Sequence, residues 1–316
     1  MLIIHNTSHD PYFNIASEEY LLKTFSDDVF MLYINQPSII VGKHQNTLAE
    51  INYKYVKENN IPVIRRISGG GTVFHDLGNV NFLFIKNGSD GQLVDFKGFV
   101  KPIIEVLQSL GVDARFEGKN DIRVNGLKVS GNAEHVQKKR VLHHGTLLFS
   151  SHLKNLNEAI RIDAEKYQSK AVQSNRTEVT NIQSLLKAPL DTEGFMELIY
   201  KHIEELNVCR IYSFSDNDLN AISKLAEEKY KTWDWNFGYS TRYSITREIE
   251  VNNNSILFKL TVDKGIIEDV YVKTNLMAEE LALLSLKGGK HKEEDILHQI
   301  KSLESGSLIN YISYFF

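Results

Sequence analysis

Residues 65–76 of this chain are RRISGGGTVFHD, in which three consecutive glycines follow two arginines and precede a His-Asp pair. Ordering glycine loses more backbone entropy than ordering other residues, so such a run is unfavourable unless the backbone must come close to something else. Strand-like IPVIRR precedes the glycines and TVFH follows them. The stretch therefore predicts a strand, a glycine loop and a second strand, with bare amides able to approach a ligand.

The glycine loop matches neither of the two common nucleotide-binding motifs. No Walker A pattern, G-x-x-x-x-G-K-[ST], surrounds it, and a Rossmann loop leads into a helix whereas a strand is expected here. Arg65 and Arg66 alternate across the preceding strand, so only one guanidinium can face the loop, where it would favour a phosphate or carboxylate. From these residues alone, an anion site and a tight turn with solvated arginines both stay open.

A second cluster occupies residues 118–133, GKNDIRVNGLKVSGNA. Lys128 stands on a predicted strand between apolar Leu127 and Val129, so its ammonium projects to one side and could bridge a carboxylate and a phosphate. An ordinary strand lysine is the alternative. Asp121 could equally supply a carboxylate to Mg²⁺ or serve as a turn residue.

A third cluster is HHGTLLF, residues 143–149. Adjacent histidines on a strand point to opposite faces, so this pair is a poor chelate for one metal ion. One histidine can face a site while the other packs in the core or meets solvent, and at least one is expected to be structural.

Composition narrows the class of protein. The 316 residues are too many for one ordinary core and fit one large domain plus a small one. A net charge of −4 argues against nucleic acid as the main partner, and a single cysteine, Cys209, excludes an internal disulfide. The start of the chain resembles no signal peptide, and no stretch approaches the roughly 18 apolar residues of a membrane span. We expect a soluble, cytoplasmic protein with no membrane partner.

Helical and strand patterns are mixed along the chain, which indicates an α/β organisation with strands paired mostly as hairpins. The polar residues 241–253 indicate a linker or the entry to a strand, ahead of a small αβ module. Hairpins are expected at 72–85 (turn DLGN), 120–133 (turn NG) and 255–272 (turn DKG), and helices at 10–25, 99–111, 191–207, 218–233, 278–287 and 293–304.

Taken together, these segments resemble the lipoate–protein ligase family. RRISGGGTVFHDLGN, GKNDI, GLKVSGNA and HHGTLL stand in the family's order and at its spacing, and FNIASEE, NRTEVTNI and WDWNFG fit as well. The resemblance implies an α/β fold: a catalytic domain like that of biotin ligases, with mixed, largely antiparallel sheets, plus a small C-terminal α/β domain. Applied to this chain, it assigns residues 1–244 to the catalytic domain and 250–316 to the accessory domain.

The resemblance also implies an activity. Lipoate and ATP would give lipoyl-AMP and pyrophosphate, and the lipoyl group would then pass to a lysine ε-amine of an acceptor protein. The implied partners are lipoate or octanoate, ATP with Mg²⁺, and acceptors such as the glycine-cleavage H protein and the E2 lipoyl domains of 2-oxoacid dehydrogenases. No tightly bound prosthetic group is expected.

Matching the family's motifs residue by residue assigns a site. Lys128 matches the essential lysine, which would screen the repulsion between the attacking carboxylate and the α-phosphate. Asp121 is the candidate Mg²⁺ ligand, with Asn120 assisting near the phosphates. The other matches are Arg66, Ser68, Gly69, Gly70 and Gly71 for the acyl-adenylate (Gly71 also for the phosphates), Thr72 and Val73 for adenine or ribose, and Glu18, Tyr33, His75 and His144 for the lipoate pocket or its edge.

Two positions depart from a bacterial relative, and two other functions stay open. His135 replaces an arginine and Tyr33 a tryptophan, which puts one anion contact and the far end of the pocket in doubt. An ATP-independent octanoyl or lipoyl transferase that forms an acyl-enzyme would need a nucleophilic cysteine, and Cys209 lies away from every motif. A non-catalytic acyl-binding regulator is the third possibility. The biotin-ligase motif GRGRxGR is absent.

Overall fold

The computed structural model describes residues 1–88, 94–160, 167–175, 177–303 and 306–316. The chain forms two compact units, each built from three separate segments. The assignment of a catalytic role to 1–244 and an accessory role to 250–316 concerns function and remains a prediction. The larger unit consists of Met1–Lys43, Pro62–Asn157 and Asn175–Lys231, and the smaller of His44–Ile61, Glu158–Ser174 and Thr232–Phe316.

Strands and helices alternate irregularly along the described chain. The strands are β1 (Leu2–His5), β2 (Val29–Ile34), β3 (Ser38–Val41), β4 (Val63–Arg65), β5 (Val73–His75), β6 (Asn79–Asn87), β7 (Arg115–Glu117), β8 (Asp121–Val124), β9 (Leu127–Gln137), β10 (Arg140–Leu148), β11 (Tyr167–Ser169), β12 (Arg210–Tyr212), β13 (Tyr243–Val251), β14 (Asn254–Asp263) and β15 (Ile266–Lys273). The α-helices are α1 (Pro11–Thr24), α2 (Thr47–Glu50), α3 (Tyr53–Glu58), α4 (Phe96–Ser109), α5 (Leu153–Ala159), α6 (Thr192–Leu206), α7 (Asp216–Leu225), α8 (Met277–Leu284), α9 (Glu293–Ser302) and α10 (Gly306–Ile309). Tighter or wider turns of helix occupy Gln183–Leu185, Ala226–Tyr230, Asp234–Gly238 and Ile312–Phe315.

The strands form three sheets of mixed but largely antiparallel pairing. The larger unit contains an eight-stranded sheet, in the order β12-β1-β2-β6-β10-β9-β8-β7, and a three-stranded sheet, β4-β3-β5. The smaller unit contains the sheet β11-β13-β14-β15. Only β1 with β2 and β12, and β3 with β4, pair in parallel among these described strands. The predicted α/β fold class is confirmed.

Helices α4 and α6 cover the core of the eight-stranded sheet. Phe99 and Ile103 of α4 stand four residues apart, as do Phe195 and Ile199 of α6, so each pair lies on one face of its helix. All four are buried in one cluster with Phe82 of β6. Burying each of these side chains contributes about 1.5–3 kcal/mol, which is why these amphipathic helices dock here. No described helix is both long and apolar enough to cross a membrane.

Helix α1 is different, because it buries polar side chains as well as apolar ones. It begins as predicted: the Asp10 side chain accepts a hydrogen bond from the Tyr12 amide at 2.8 Å, and Pro11 occupies the first turn. Its buried residues include Asn14 and Glu18. A helix that buries charged and amide groups must supply them with partners, and those partners lie in the candidate site.

Two of the three expected hairpins are confirmed. Strands β8 and β9 pair around Asn125 and Gly126, whose φ angles of 51° and 80° are those of the tight turn that the NG dipeptide predicts. Strands β14 and β15 pair around Lys264 and Gly265, with φ angles of 48° and 77°.

The hairpin expected at 72–85 is wrong. Strand β5 pairs with β3 in the small sheet, whereas β6 pairs with β2 and β10 in the large one. A turn does occur at DLGN, where the Asp76 carboxylate accepts hydrogen bonds from the amides of Gly78 at 2.9 Å and His152 at 2.7 Å. That turn carries the chain from one sheet to the other instead of folding it back.

In the smaller unit, most of the polar stretch 241–253 is strand β13, Tyr243–Val251, so the strand and not the linker is the prediction that holds. Along β13, buried residues alternate with partly or fully exposed ones, and Arg247 and Ile249 are both buried on its inner face. Its buried face joins a core with Phe258 of β14 and Ile296 of α9. Strand β13 therefore spans the boundary between the predicted domains, 1–244 and 250–316.

Candidate active site

The glycine loop Gly69–Gly71 is supported from inside by Arg66. The guanidinium donates through Nη2 to the carbonyls of Gly69 at 2.6 Å and Gly71 at 2.8 Å, through Nη1 to Ile40 at 3.1 Å, and through Nε to Ser68 Oγ at 2.9 Å. Burial lowers the pKa of Arg66 to about 10, which leaves it charged at neutral pH. Four of its five N–H groups are thus committed to the loop and its neighbouring strand.

The close packing of Arg66 explains part of the glycine run. Gly70 has φ = +85°, and a Cβ at that position would lie 3.0 Å from Arg66 Nη2. A Cβ at Gly69 would meet nothing within 4 Å, so that side of the loop has room for a ligand. Arg65 is fully buried too and donates to the carbonyls of Gly42 and Lys43, both at 3.1 Å. The alternative of a turn with solvated arginines is therefore wrong.

A continuous chain of hydrogen bonds leads from the glycine loop to α1. Ser68 Oγ lies 2.6 Å from His144 Nε2, and His144 Nδ1 lies 2.7 Å from Glu18 Oε2. The other oxygen of Glu18 accepts from the Tyr33 hydroxyl at 2.8 Å, and burial beside Glu18 raises the pKa of Tyr33 well above its usual value. Tyr33 is therefore a lasting donor. Four of the predicted site residues are brought together in this chain.

The Ser68–His144–Glu18 chain has the connectivity of a catalytic triad, but its surroundings do not suit nucleophilic catalysis. Ser68 is fully buried, and its oxygen already accepts the N–H of Arg66 Nε. A nucleophile needs an accessible oxygen with a lone pair directed at the substrate. We interpret the chain as a support that fixes the position of the glycine loop.

His75 lies in the same buried region. Its Nδ1 is 2.9 Å from Asn35 Nδ2, while its Nε2 is buried and has no hydrogen-bond partner in the part of the chain that the structure describes. Burial, and then the charge of Arg66 and the ring of His144, lower the pKa of His75 to about 3. The ring is therefore neutral at physiological pH.

Lys128 is held in a defined place on β9. Its Nζ lies 2.9 Å from Asp121 Oδ1, and the other oxygen of Asp121 is 2.7 Å from Arg123 Nη2. The lysine side chain is 23% exposed, so its ammonium is partly shielded and still reachable by a ligand. Lys128 is thus part of an ordered ion-pair cluster, and its catalytic role stays a prediction beside the alternative of an ordinary strand lysine.

Two further features position Lys128, and sequence reasoning assigned neither to the site. A Cβ at Gly131 would lie 2.9 Å from both Cε and Nζ of Lys128, so the lysine packs across the bare backbone of this glycine. The Lys128 amide donates to the Glu178 carbonyl at 2.9 Å, and the Thr180 amide donates to the Lys128 carbonyl at 3.0 Å. The motif NRTEVTNI contains both partners, and its presence beside the other family motifs was the signal that the sequence offered. Arg176 of this motif lies outside the described residues.

Asn120 has a structural task next to Asp121. Its side chain donates to the Asn132 carbonyl, and the Asn132 side chain donates back to the Asn120 carbonyl at 2.9 Å. This exchange fastens the start of β8 to β9. Since the Asn120 amide N–H is used in this way, its side-chain oxygen is the atom that could assist at phosphates or a metal.

The sheet brings the separate motifs together. A Cβ at Gly70 would lie 3.8 Å from the Cβ of Ala133 on β9, and Ala133 pairs across the sheet with His144 on β10. The glycine loop thus lies against the two strands that carry Lys128 and His144. Thr72 is buried beside this loop, and Val73 pairs with Ile40 in the small sheet.

The two adjacent histidines divide between the two faces of the sheet, as expected. His144 contacts Ser68, whereas His143 is fully buried and stacks on Phe99, with ring centroids 4.8 Å apart. His143 Nδ1 lies 2.9 Å from Glu134 Oε1. Burial lowers the pKa of His143 well below its usual value, so it is a neutral core residue.

With this geometry in view, the chain can be compared with known proteins. Residues 10–204 match the family model described as the lipoyl protein ligase A/B catalytic domain. Lipoate–protein ligase 1 of Staphylococcus aureus is 39% identical over 325 residues, covering 98% of this chain and 99% of that protein. The chain belongs to the lipoate–protein ligase family. Its predicted enzyme class, a ligase, is confirmed with it.

Other members of the lipoate–protein ligase family agree over most of the chain. Lipoate-protein ligase LplJ of Bacillus subtilis is 39% identical over 319 residues, covering 98% of this chain and 96% of that protein. The crystal structure of P. falciparum LipL1 in complex with lipoate superposes with a TM-score of 0.66 at 25% identity and covers 99% of both chains. A lipoate-protein ligase A bound with ATP superposes with a TM-score of 0.63 at 23% identity, covering 75% of this chain and 98% of that one.

The side chains around Asp121 show whether this carboxylate suits the binding of Mg²⁺. Both of its carboxylate oxygens are already ion-paired, and the described part of the chain contains no group of three or more histidine, cysteine or acidic side chains that could hold a metal ion. Mg²⁺ usually takes one or two protein carboxylates and completes its shell with phosphate oxygens and water. These donors therefore fit Mg²⁺ that arrives with a nucleotide, and Asp121 is the carboxylate that would hold it.

Cys209 is poorly suited to form an acyl-enzyme thioester. The residue follows α6 and is partly buried, and its Sγ lies 4.0 Å from the Ile203 carbonyl oxygen. Burial raises the pKa of its thiol, which disfavours the thiolate needed for attack. None of the site residues described above is among its contacts.

Proposed function

We propose that this chain is a lipoate–protein ligase: it joins lipoate to ATP to form lipoyl-AMP and pyrophosphate, then transfers the lipoyl group to a lysine of an acceptor domain. The observation that carries this proposal is the ordered pair of Lys128 on β9 and Asp121 on β8, since β9 is the strand against which the glycine loop lies. Relatives named as lipoate–protein ligases that align over nearly the whole chain support it.

In the first reaction, a lipoate carboxylate oxygen attacks the α-phosphorus, and the bond to the pyrophosphate oxygen breaks. Two anions must meet, and charge builds on the phosphate oxygens in the transition state. The Lys128 ammonium, held by Asp121 until substrates arrive, can contact both anions and screen their repulsion. Asp121 and the side-chain oxygen of Asn120 would hold Mg²⁺ at the phosphates, where it would neutralise part of their charge.

The glycine loop would bind the adenylate through its backbone. With its carbonyls at Gly69 and Gly71 fastened by Arg66, the loop can present amide N–H groups to the ligand. Thr72 and Val73 would lie beside the adenine or ribose. Glu18, Tyr33, His75 and His144 would line the lipoyl pocket, where each buried CH₂ of the acyl chain would contribute about 0.8 kcal/mol.

We propose E2 lipoyl domains as acceptors, since an archaeal bi-partite lipoate protein ligase from Thermoplasma acidophilum has been analysed with its E2 lipoyl domain. The glycine-cleavage H protein as acceptor and octanoate as an alternative acyl group rest on the motif resemblance. A cytoplasmic location rests on the sequence features given above.

The proposal is tested by lipoate-dependent release of pyrophosphate from ATP. We expect the purified chain to show it and Lys128→Ala to lower its rate by about 10²–10³, the usual loss when one donor to a developing charge is removed. Lys201→Ala removes an exposed lysine on α6, outside every site motif, and should leave the rate unchanged. The proposal is wrong if the chain forms no acyl-AMP but moves octanoate between carrier proteins without ATP, or if it binds lipoate without catalysing either reaction.

A further inference from the structure

A chain of side-chain amides fixes the tautomer of His75. Asn14 Nδ2 lies 2.8 Å from the Ser8 carbonyl and 3.3 Å from the Ile34 carbonyl, and because carbonyls only accept, the orientation of the Asn14 amide is settled. The same nitrogen donates to Asn35 Oδ1 at 2.8 Å. The nitrogen of Asn35 must then be the atom that faces His75 Nδ1 at 2.9 Å.

It follows that His75 accepts through Nδ1 and carries its hydrogen on Nε2. That N–H group is buried and has no hydrogen-bond acceptor among the described residues. The residue as a whole is 3% exposed, so water reaches it poorly. Leaving a buried donor unpaired costs about 1–3 kcal/mol, and such a group is most readily explained by a ligand that supplies the acceptor.

The neighbouring polar groups are, by contrast, satisfied by one another. Glu18 accepts from Tyr33 and from His144 Nδ1, so His144 Nε2 is an acceptor and takes the hydroxyl hydrogen of Ser68. Ser68 in turn accepts from Arg66. Each polar hydrogen in this series of hydrogen bonds is donated to one acceptor. The Ser68 hydroxyl therefore cannot donate to a ligand unless its hydrogen bond to His144 breaks. Unlike these hydrogens, the His75 Nε2–H is not committed to another side chain among the described residues.

The chemistry of this donor indicates what it would bind. A neutral imidazole N–H contributes no net charge, so it suits a carbonyl oxygen, and the lowered pKa of His75 means that the ring stays neutral in the working pH range. Such a donor can strengthen its hydrogen bond as negative charge develops on the oxygen. An acyl carbonyl under attack is an oxygen of this kind.

We propose that His75 is a catalytic residue for acyl transfer, donating its Nε2–H to the acyl carbonyl oxygen of lipoyl-AMP and to the oxyanion formed when the acceptor amine attacks. The inference rests on the proposed function. The amine nitrogen forms a C–N bond to the acyl carbon and the carbonyl electron pair moves onto the oxygen; its return expels AMP as the C–O bond breaks. The amine loses its proton to water, and His75 keeps its own throughout.

The test supplies preformed lipoyl-AMP to the full chain and follows a single turnover of transfer to an E2 lipoyl domain. His75→Asn retains an acceptor for Asn35 but has no group at the Nε2 position, whereas His75→Gln places an N–H donor near that position. We expect transfer to slow by about 10²–10³ in H75N and to stay within about tenfold of the parent rate in H75Q, with a smaller effect on pyrophosphate release in both. Equal losses in the two variants would indicate a structural role, and parent-like rates in both, or an equal loss of adenylation and transfer in H75N, would overturn the proposal.

A second measurement needs no variant. In the ¹⁵N spectrum of the parent protein, His75 should be the neutral Nε2–H tautomer from pH 5 to 8, and its N–H proton should move downfield when a non-hydrolysable lipoyl-AMP analogue binds. An unshifted proton in the bound state overturns the proposal even if H75N fails to fold. If the parent protein binds lipoyl-AMP but transfers no lipoyl group, the proposed function itself is wrong, and this inference with it.

Discussion

Arg66 occupies the most demanding position at the scale of single residues, because its charge is buried inside the loop that it supports. Its planar fork reaches two loop carbonyls, a strand carbonyl and Ser68 at once. An arginine can satisfy such divergent acceptors since its donors are fixed in one plane, whereas a lysine ammonium is a compact point charge. The positive charge alone therefore does not define this residue's contribution.

Arg66→Lys should consequently disturb the loop while preserving charge. We expect a loss of about 2–3 kcal/mol in the free energy of unfolding, because hydrogen bonds to buried acceptors are left unmade. Pyrophosphate release should fall in parallel as the loop amides lose their positions. Chemical denaturation and the pyrophosphate assay measure the two effects. Arg210→Lys, at an exposed site, is the control, and a parent-like R66K would show that charge alone suffices.

At the scale of elements, the β8–β9 hairpin is the part of the site that local sequence specifies best. The NG turn sets the pairing of Arg123 with Lys128. A register shift beside Arg123 then places Asp121 opposite Gly131. Lys128 packs over that glycine. Local signals were less reliable where strands separate into different sheets. DLGN predicts a turn correctly but does not determine which strands pair on either side of it, so the expected β5–β6 hairpin was wrong.

Gly131→Ala tests the packing of Lys128 on this hairpin. The new Cβ would lie 2.9 Å from Cε and Nζ of the lysine, the movable end of a flexible side chain. We therefore expect the lysine to swing away, with a large loss of adenylation and a change of less than about 1 kcal/mol in the free energy of unfolding. Gly306→Ala, where a Cβ meets nothing within 4 Å, is the matched control. Full adenylation activity in G131A would show that Lys128 does not depend on this contact.

At the scale of the whole molecule, buried neutral histidines link stability to pH. The pKa of His75 is lowered to about 3 and that of His291 to about 4, in both cases chiefly by burial, against about 6.5 for an unfolded chain. Because the pKa of each histidine is lower in the folded state, its contribution to stability is fully present above pH 6.5 and is lost as the pH falls toward 3. His75 belongs to the larger unit and His291 to the smaller, so both units should respond.

Between pH 7 and pH 5 we expect the temperature at the midpoint of unfolding to fall. Each of these histidines would lower the free energy of unfolding by about 2 kcal/mol, because its ring takes up a proton in the unfolded chain and stays neutral in the folded one. Replacing His291 with asparagine, which cannot titrate, should flatten the pH dependence of the smaller unit's transition. Scanning calorimetry at several pH values measures this. A midpoint that is constant or rises toward pH 5 would contradict the prediction.

The sequence by itself determined the fold class, the family and the motif residues, because these depend on local turn chemistry, strand and helix periods and short spacings that neighbouring residues settle among themselves. Asp10 begins α1 and Asn125–Gly126 turns the β8–β9 hairpin for such local reasons. Tertiary structure alone decided that Arg66 supports the glycine loop, that β13 spans the boundary between the two predicted domains, and that His75 Nε2 has no hydrogen-bond partner among the described residues. Hydrogen bonds and packing between segments far apart in the chain fix these features, and no single stretch of sequence contains both sides of such a contact.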